Sequence, residues 1–177
     1  LDSQISLGAG MQLASSAIQI HAATLNDIDV LVIDERAWSA MNPGSKQAVI
    51  NALRNGLGVL IRITGPLTAN HRSELRRLGF NVNDVDIVQG VRLHKTDDGK
   101  TALALSKRPL QVNSRDAVNL LQDENNQTLA LWRAEGRGRI GLWWLSDSYR
   151  LVLNDQASTH GQLWQKAFAT LARARNA

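Results

Sequence analysis

Short apolar runs alternate with amphipathic stretches along the chain, and that rhythm predicts its elements. Asp29-Val30-Leu31-Val32-Ile33 is a nearly continuous apolar run ending in three charged residues, Asp34-Glu35-Arg36. Such a run suits a parallel strand covered on both faces. The clearest helix follows, with Asn42 as its cap, Pro43 at the first helical position and Val49, Ile50 and Leu53 as its apolar stripe. Asn55-Gly56 closes it, and Gly58 to Ile63 is the next strand, stopped by Thr64-Gly65-Pro66. Strand, helix and strand with short joints make a βαβ unit with a right-handed crossover. Thr68 or Asn70 caps a second helix, His71 to Leu78, which ends at Gly79, and Phe80-Asn81-Val82 reads as a short strand.

Upstream, Gln4 to Leu7 alternates like a short strand, Met11 to Ile20 reads as a short strand or loop, and Ala22 to Leu25 as a single turn. From Val88 the texture changes. Val91 to Lys95 and Thr101 to Leu105 alternate around Asp97-Asp98-Gly99, a hairpin signal. Leu120-Leu121, Asn125-Asn126 and Leu129 to Trp132 suggest a second hairpin. Arg139 to Leu145 is a buried strand whose Trp143 and Trp144 point to opposite faces, so both faces are covered. An amphipathic helix from Gly161 to Ala174 ends the chain. This order predicts an α/β fold: a flavodoxin-like, doubly wound, mostly parallel sheet in one domain over 1–177, with an antiparallel insertion over 88–135.

Composition narrows the chemistry. The 177 residues contain no cysteine, which removes disulfides, thiolate metal sites and thiol nucleophiles. Twenty Lys and Arg against 16 Asp and Glu give +4, dispersed apart from Arg72, Arg76, Arg77 and a tail with Arg173 and Arg175. That pattern does not predict a nucleic-acid partner. No run approaches the roughly 18 apolar residues of a membrane span. His21, His71, His94 and His160 lack metal-ligand spacing, so no metal and no cofactor are expected.

The candidate ligand-binding residues are Asp34, Glu35, Arg36, Thr64, Gly65, Asp147 and Ser148, all at expected strand ends. Open α/β sheets bind ligands beyond the carboxyl ends of their strands. The structural alternative is that Asp34 or Glu35 pairs with Arg36 or caps a turn. Thr64-Gly65 could present backbone amides to an anion or serve as a plain turn. Asp147 and Ser148, with His160, supply hydrolase residue types, yet no Gly-x-Ser-x-Gly elbow holds a serine. Trp38 and Trp132 are candidate exposed anchors, with core edge as their other fate.

The run Asp29 to Glu35, the helix after it, Gly56-Leu57-Gly58-Val59-Leu60, Gly136 to Gly141 and Ser146 to Arg150 together resemble the class I glutamine amidotransferase-like superfamily. More specifically, they are similar to domains of that type within bacterial inner-membrane proteins. The likeness covers Gln4 to Leu171. The superfamily's elbow reads Gly-x-Cys-x-Gly, with a His-x-Glu pair further on. Here Ile61 falls on the first glycine, Ile63 on the cysteine and Gly65 on the last glycine, while Gly161-Gln162 follows His160. An isoleucine cannot attack a carbonyl, so glutamine hydrolysis is excluded and no catalytic residue is carried over.

The resemblance implies a domain without its first strand and helix, either trimmed from a longer chain or lacking them by nature, attached to the bacterial inner membrane through segments outside this chain and facing either periplasm or cytoplasm. Its expected partners are other domains of the same chain or membrane-complex proteins. The leading functional expectation is therefore a non-catalytic binding or assembly domain. The alternative is a hydrolase or small-ligand sensor built on Asp34, Glu35, Thr64, Asp147 and His160, which requires those groups to converge on one pocket.

Overall fold

The computed structural model describes residues 11–13, 20, 22–84, 90–92, 104–106, 110–123, 126–145 and 157–173. In chain order the first half holds β1 (Met11–Leu13), α1 (Ala22–Asn26), β2 (Val30–Asp34), α2 (Glu35–Ala40), α3 (Pro43–Arg54), β3 (Gly58–Arg62) and α4 (Ala69–Arg77). The second half is mostly strand: β4 (Asn81–Asp84), β5 (Gly90–Arg92), β6 (Ala104–Ser106), β7 (Leu110–Asn113), β8 (Val118–Gln122), β9 (Thr128–Glu135) and β10 (Gly138–Trp143). Helix α5 (Ala157–Leu171) follows.

The fold is α/β. Six strands form the main sheet in the order β1-β2-β3-β10-β9-β8. The first four are parallel, and the β8–β9 hairpin extends the sheet antiparallel from β10. The antiparallel stretch expected over 88–135 therefore divides. β5 pairs with β6 and β7 with β4, each in a small two-stranded sheet, whereas β8 and β9 belong to the main sheet.

Alternation along the strands explains the two covered faces. Leu31, Ile33, Val59, Ile61, Leu142 and Trp144 share one core cluster with residues of α2, α3 and α4. Val30, Val32, Leu60 and Trp143 point the other way, into a cluster with Ala167, Phe168 and Leu171 of α5. Each fully buried aliphatic side chain contributes about 1.5–3 kcal/mol relative to exposure, which is why these runs carry almost no polar residues. Trp143 and Trp144 lie on opposite faces and both are buried, as their adjacency predicts.

Two expectations change. Glu35 to Ala40 is a helix, not a charged strand end, because Asp34 accepts the Ala37 N–H at 2.7 Å and caps it. That helix turns Trp38 into the core, where it is 3% exposed, so Trp38 is no surface anchor. Trp132 is half-buried beneath the Arg139 guanidinium, 4.6 Å from its ring centre. The helix over Pro43–Arg54 starts as read, with Asn42 as its cap, while the one expected from His71 begins two residues earlier, at Ala69, because Thr68 and not Asn70 caps it. The strand expected over Gln4 to Leu7 lies outside the described residues.

Two glycines bring the amino end of the sheet against the helices. A Cβ on Gly138 would collide with the carbonyl oxygens of Leu53 and Leu57, and one on Gly58 with that of Leu171. Strand and helix backbones meet there at a distance that no larger residue permits.

Candidate functional site

The carboxyl ends of β2 and β3 lie side by side, with Asp34 paired in register to Arg62. On the other side, Trp143 of β10 pairs with the same Arg62. Parallel pairing thus gathers residues 28 and 81 positions apart into one strip, and Glu35 and Thr64-Gly65 meet just beyond it.

Glu35 is the centre of that meeting. It is 1% exposed, as buried as the apolar core. Its carboxylate accepts the backbone N–H of Thr64 and the backbone N–H of Gly65, each at 2.9 Å. The Thr64 hydroxyl lies 3.2 and 3.3 Å from the two carboxylate oxygens and donates to them. A buried carboxylate is stable only when hydrogen bonds replace its water, and the Thr64-Gly65 turn supplies them. The amide pair that sequence reasoning offered to an external anion already holds one from its own chain.

The elbow position is equally closed. Ile63 is 2% exposed, and its N–H donates to the Trp143 carbonyl at 2.8 Å, continuing the strand pairing where a nucleophile elbow would turn outward. Thr64 and Glu35 do have the contact that a hydroxyl nucleophile and its base require. Yet Glu35 is buried and already accepts two backbone N–H groups and that hydroxyl, which leaves it no position to take a proton from a bound substrate.

Asp34 is occupied as the cap of α2, which leaves it an anchoring role at the site's edge. Arg36 is exposed on α2 and joins neither carboxylate. Asp147 and Ser148 lie outside the described residues, as does the side chain of His160. Of the seven candidates, then, Asp34, Glu35, Thr64 and Gly65 come together, and Arg36 does not. Among the described residues no group of histidine and acidic side chains could hold a metal ion.

Arg62, which stands at the same strand end, is not among the seven candidates. Its guanidinium is half-buried, packs 5.3 Å from the Trp164 ring centre, and has a buried Nε with no acceptor. Trp164 in turn stacks on Trp143 with centroids 4.6 Å apart and planes 12° off parallel. Burial lowers the Arg62 pKa from its ordinary value, opposed in part by the charges of Asp34 and Glu35. Its position beside Asp34 follows from the parallel register of the two strands.

No family signature matches the chain, and no curated protein matches it in sequence. The fold is shared with solved structures. One, described as a cytoplasmic protein from Salmonella typhimurium, superposes with a TM-score of 0.64 at 17% identity, covering 89% of this chain and 77% of that one. A second Salmonella typhimurium protein of the same description gives 0.58 at 12% identity, over 93% and 78%. A β-galactosidase from a Rahnella species gives 0.50 at 12% identity; the match covers 85% of this chain but only 24% of the enzyme. At these identities the likeness extends to the fold alone.

Proposed function

We propose that this chain is a non-catalytic α/β domain that serves binding or assembly. One observation carries the reading: Glu35 fills the amide pair at the end of β3, where a catalytic elbow would present its reactive group. The buried Ile63 beside it is consistent with this. The kinship with amidotransferase-like domains of bacterial inner-membrane proteins belongs to the same proposal. Its support is the order of elements and the runs Asp29 to Glu35, Gly56 to Leu60 and Gly136 to Gly141. Attachment to that membrane through segments outside this chain, with other domains or membrane-complex proteins as partners, completes it. Among the described residues no helix is long and apolar enough to cross a membrane.

The test is turnover. The chain should hydrolyse neither glutamine, nitrophenyl esters nor nitrophenyl glycosides above the rate of its Thr64→Val variant. A rate that falls about 100-fold or more on that substitution, as removal of a nucleophile or proton-transfer group gives, would overturn the non-catalytic reading. Membrane attachment is checked by fractionating cells that express the full-length gene product; recovery in the soluble fraction would sink that part alone.

A further inference from the structure

The joint between α3 and β3 holds the only Asn-Gly pair in the sequence, Asn55-Gly56. With no side chain on the glycine, such a pair is where a backbone nitrogen attacks a neighbouring side-chain amide most easily. Asn55 is exposed, and its carboxamide makes no hydrogen bond among the described residues. What the fold withholds is the nucleophile. The Gly56 N–H donates to the Leu53 carbonyl at 3.0 Å, and the Leu57 N–H to the Ala52 carbonyl at 2.9 Å. These two bonds, with Gly56 at φ 118°, are the Schellman closure of a helix. Asn55 has ψ 6°, so the Gly56 nitrogen eclipses the nitrogen of Asn55 itself. To reach Cγ it must turn by about 120° around the Cα–C bond, onto the side of Cβ. The joint resists that turn. Gly56 and Leu57 are buried, the Gly58 N–H donates to the Asp29 carbonyl at 3.0 Å, and the Arg137 N–H holds the Arg54 carbonyl at 2.9 Å.

We propose that Asn55 is a deamidation site kept silent by the closed end of α3, and that modification there bars the chain from refolding. Once the closure opens, the Gly56 nitrogen bonds to Asn55 Cγ and the side-chain nitrogen leaves as ammonia, carrying away the Gly56 proton. The product is a cyclic succinimide, and water then cleaves one of the two ring C–N bonds. Cleavage at Cγ gives aspartate. Cleavage at the main-chain carbonyl carbon gives isoaspartate, whose backbone runs on through Cγ and is one methylene longer. The folded joint has no room for that methylene. A Cβ on Gly58 would already collide with the Leu171 carbonyl, and one on Gly136 with the backbone of Arg54. Either product also adds a carboxylate at the negative end of the α3 dipole. The inference is independent of what the domain binds.

The experiment ages the chain in mildly alkaline buffer, with and without denaturing urea, and reads Asn55 by peptide mass spectrometry. Deamidation there should be at least about 100-fold slower in the folded chain, because it must await local opening. On dilution from urea, chains carrying isoaspartate at position 55 should stay unfolded by circular dichroism. Unmodified chains, and an Asn55→Ser chain aged in the same way, should refold. Folded and unfolded rates within about tenfold of each other would overturn the silent site. Full refolding of isoaspartate chains, or equal refolding losses in aged Asn55→Ser, would overturn the trap. The wild-type rates and the refolding of separated isoaspartate chains decide both points even where Asn55→Ser folds poorly.

Discussion

The two ends of the main sheet treat the same residue type in opposite ways. At the amino end, arginines close helix C-termini. Arg133 donates through Nε to the Leu78 carbonyl at 2.8 Å, and its Nη2 donates to the same oxygen. Arg139 reaches the Thr170 carbonyl at 2.6 Å, and Arg173 reaches that of Leu25 at 3.3 Å. These are the last-turn or cap carbonyls of α4, α5 and α1, which lack partners inside their helices and carry the negative end of the helix dipole. Even Arg173, whose Nε is unpartnered, engages through its terminal nitrogen. At the carboxyl end, Asp34 and Glu35 satisfy backbone N–H groups, while the buried Nε of Arg62 has no partner among the described residues. The mild basic excess of the chain thus has a structural use at one end, and the odd arginine stands at the other.

If the amino end is pure architecture, its tightest point should be its most sensitive. Gly138→Ala places a methyl group against the Leu53 and Leu57 carbonyls, which belong to backbone and cannot rotate away. The expected loss is about 3 kcal/mol or more, at the upper end of overpacking costs. Urea denaturation measures it, and a loss below about 1 kcal/mol would mean that α3 moves freely from the sheet.

The carboxyl end is tested next by Glu35→Gln. The carboxamide keeps one acceptor oxygen but turns an N–H₂ toward a turn that is itself donating, so at least one buried N–H loses its partner. An unsatisfied buried donor costs about 1–3 kcal/mol. A neutral result would show that the turn relaxes to water, and that Glu35 does not hold it closed.

The amount legible in the sequence differs between these two ends for a physical reason. Period and capping are local, so the β2–α3–β3 order, the caps Asn42 and Thr68 and the opposed Trp143 and Trp144 all follow from neighbouring residues. Helix α2 was also locally signalled, since Asp34 followed by Glu35 is a cap and first-turn pattern. It was missed because charges after an apolar run read equally well as a solvated strand end. The burial of Glu35 is a different matter. Its partners lie 29 and 30 residues away and depend on the parallel register, which no spacing in the chain reveals. The candidate site was therefore legible as a set of positions, Asp34, Glu35, Thr64 and Gly65, but not as a self-filled one.

A smaller effect separates the ends by pH. Glu135, beside Arg133, has its pKa held below the ordinary 4.5, first by its hydrogen bond from Arg133 and then by that from Arg54. A carboxylate with a depressed folded-state pKa adds stability that is present above its unfolded value and lost as pH falls through the folded one. Wild-type stability should therefore decline below about pH 4.5 more steeply than that of Glu135→Gln. At neutral pH the substitution should cost no more than about 1 kcal/mol, and less in high salt, because the pair is near the surface. Parallel pH curves for the two proteins would show that this amino-end contact is ornamental.

The smallest change should come from the residue that looks most out of place. Methionine at position 62 keeps a long, flexible stem to lie against Trp164 while removing the buried charge. Because the Arg62 side chain makes no hydrogen bond or ion pair among the described residues, and its burial is offset only in part by the charges of Asp34 and Glu35, Arg62→Met should shift stability by no more than about 1 kcal/mol. The same substitution at Arg133 removes the hydrogen bonds to Leu78 and Glu135, and should cost about 1.5–3 kcal/mol. Equal losses at the two positions would mean that Arg62 supports the fold as Arg133 does, and the contrast between the ends would collapse. Unequal losses would show that the fold leans on the arginine bound to helix carbonyls and not on the one beside Asp34 and Glu35.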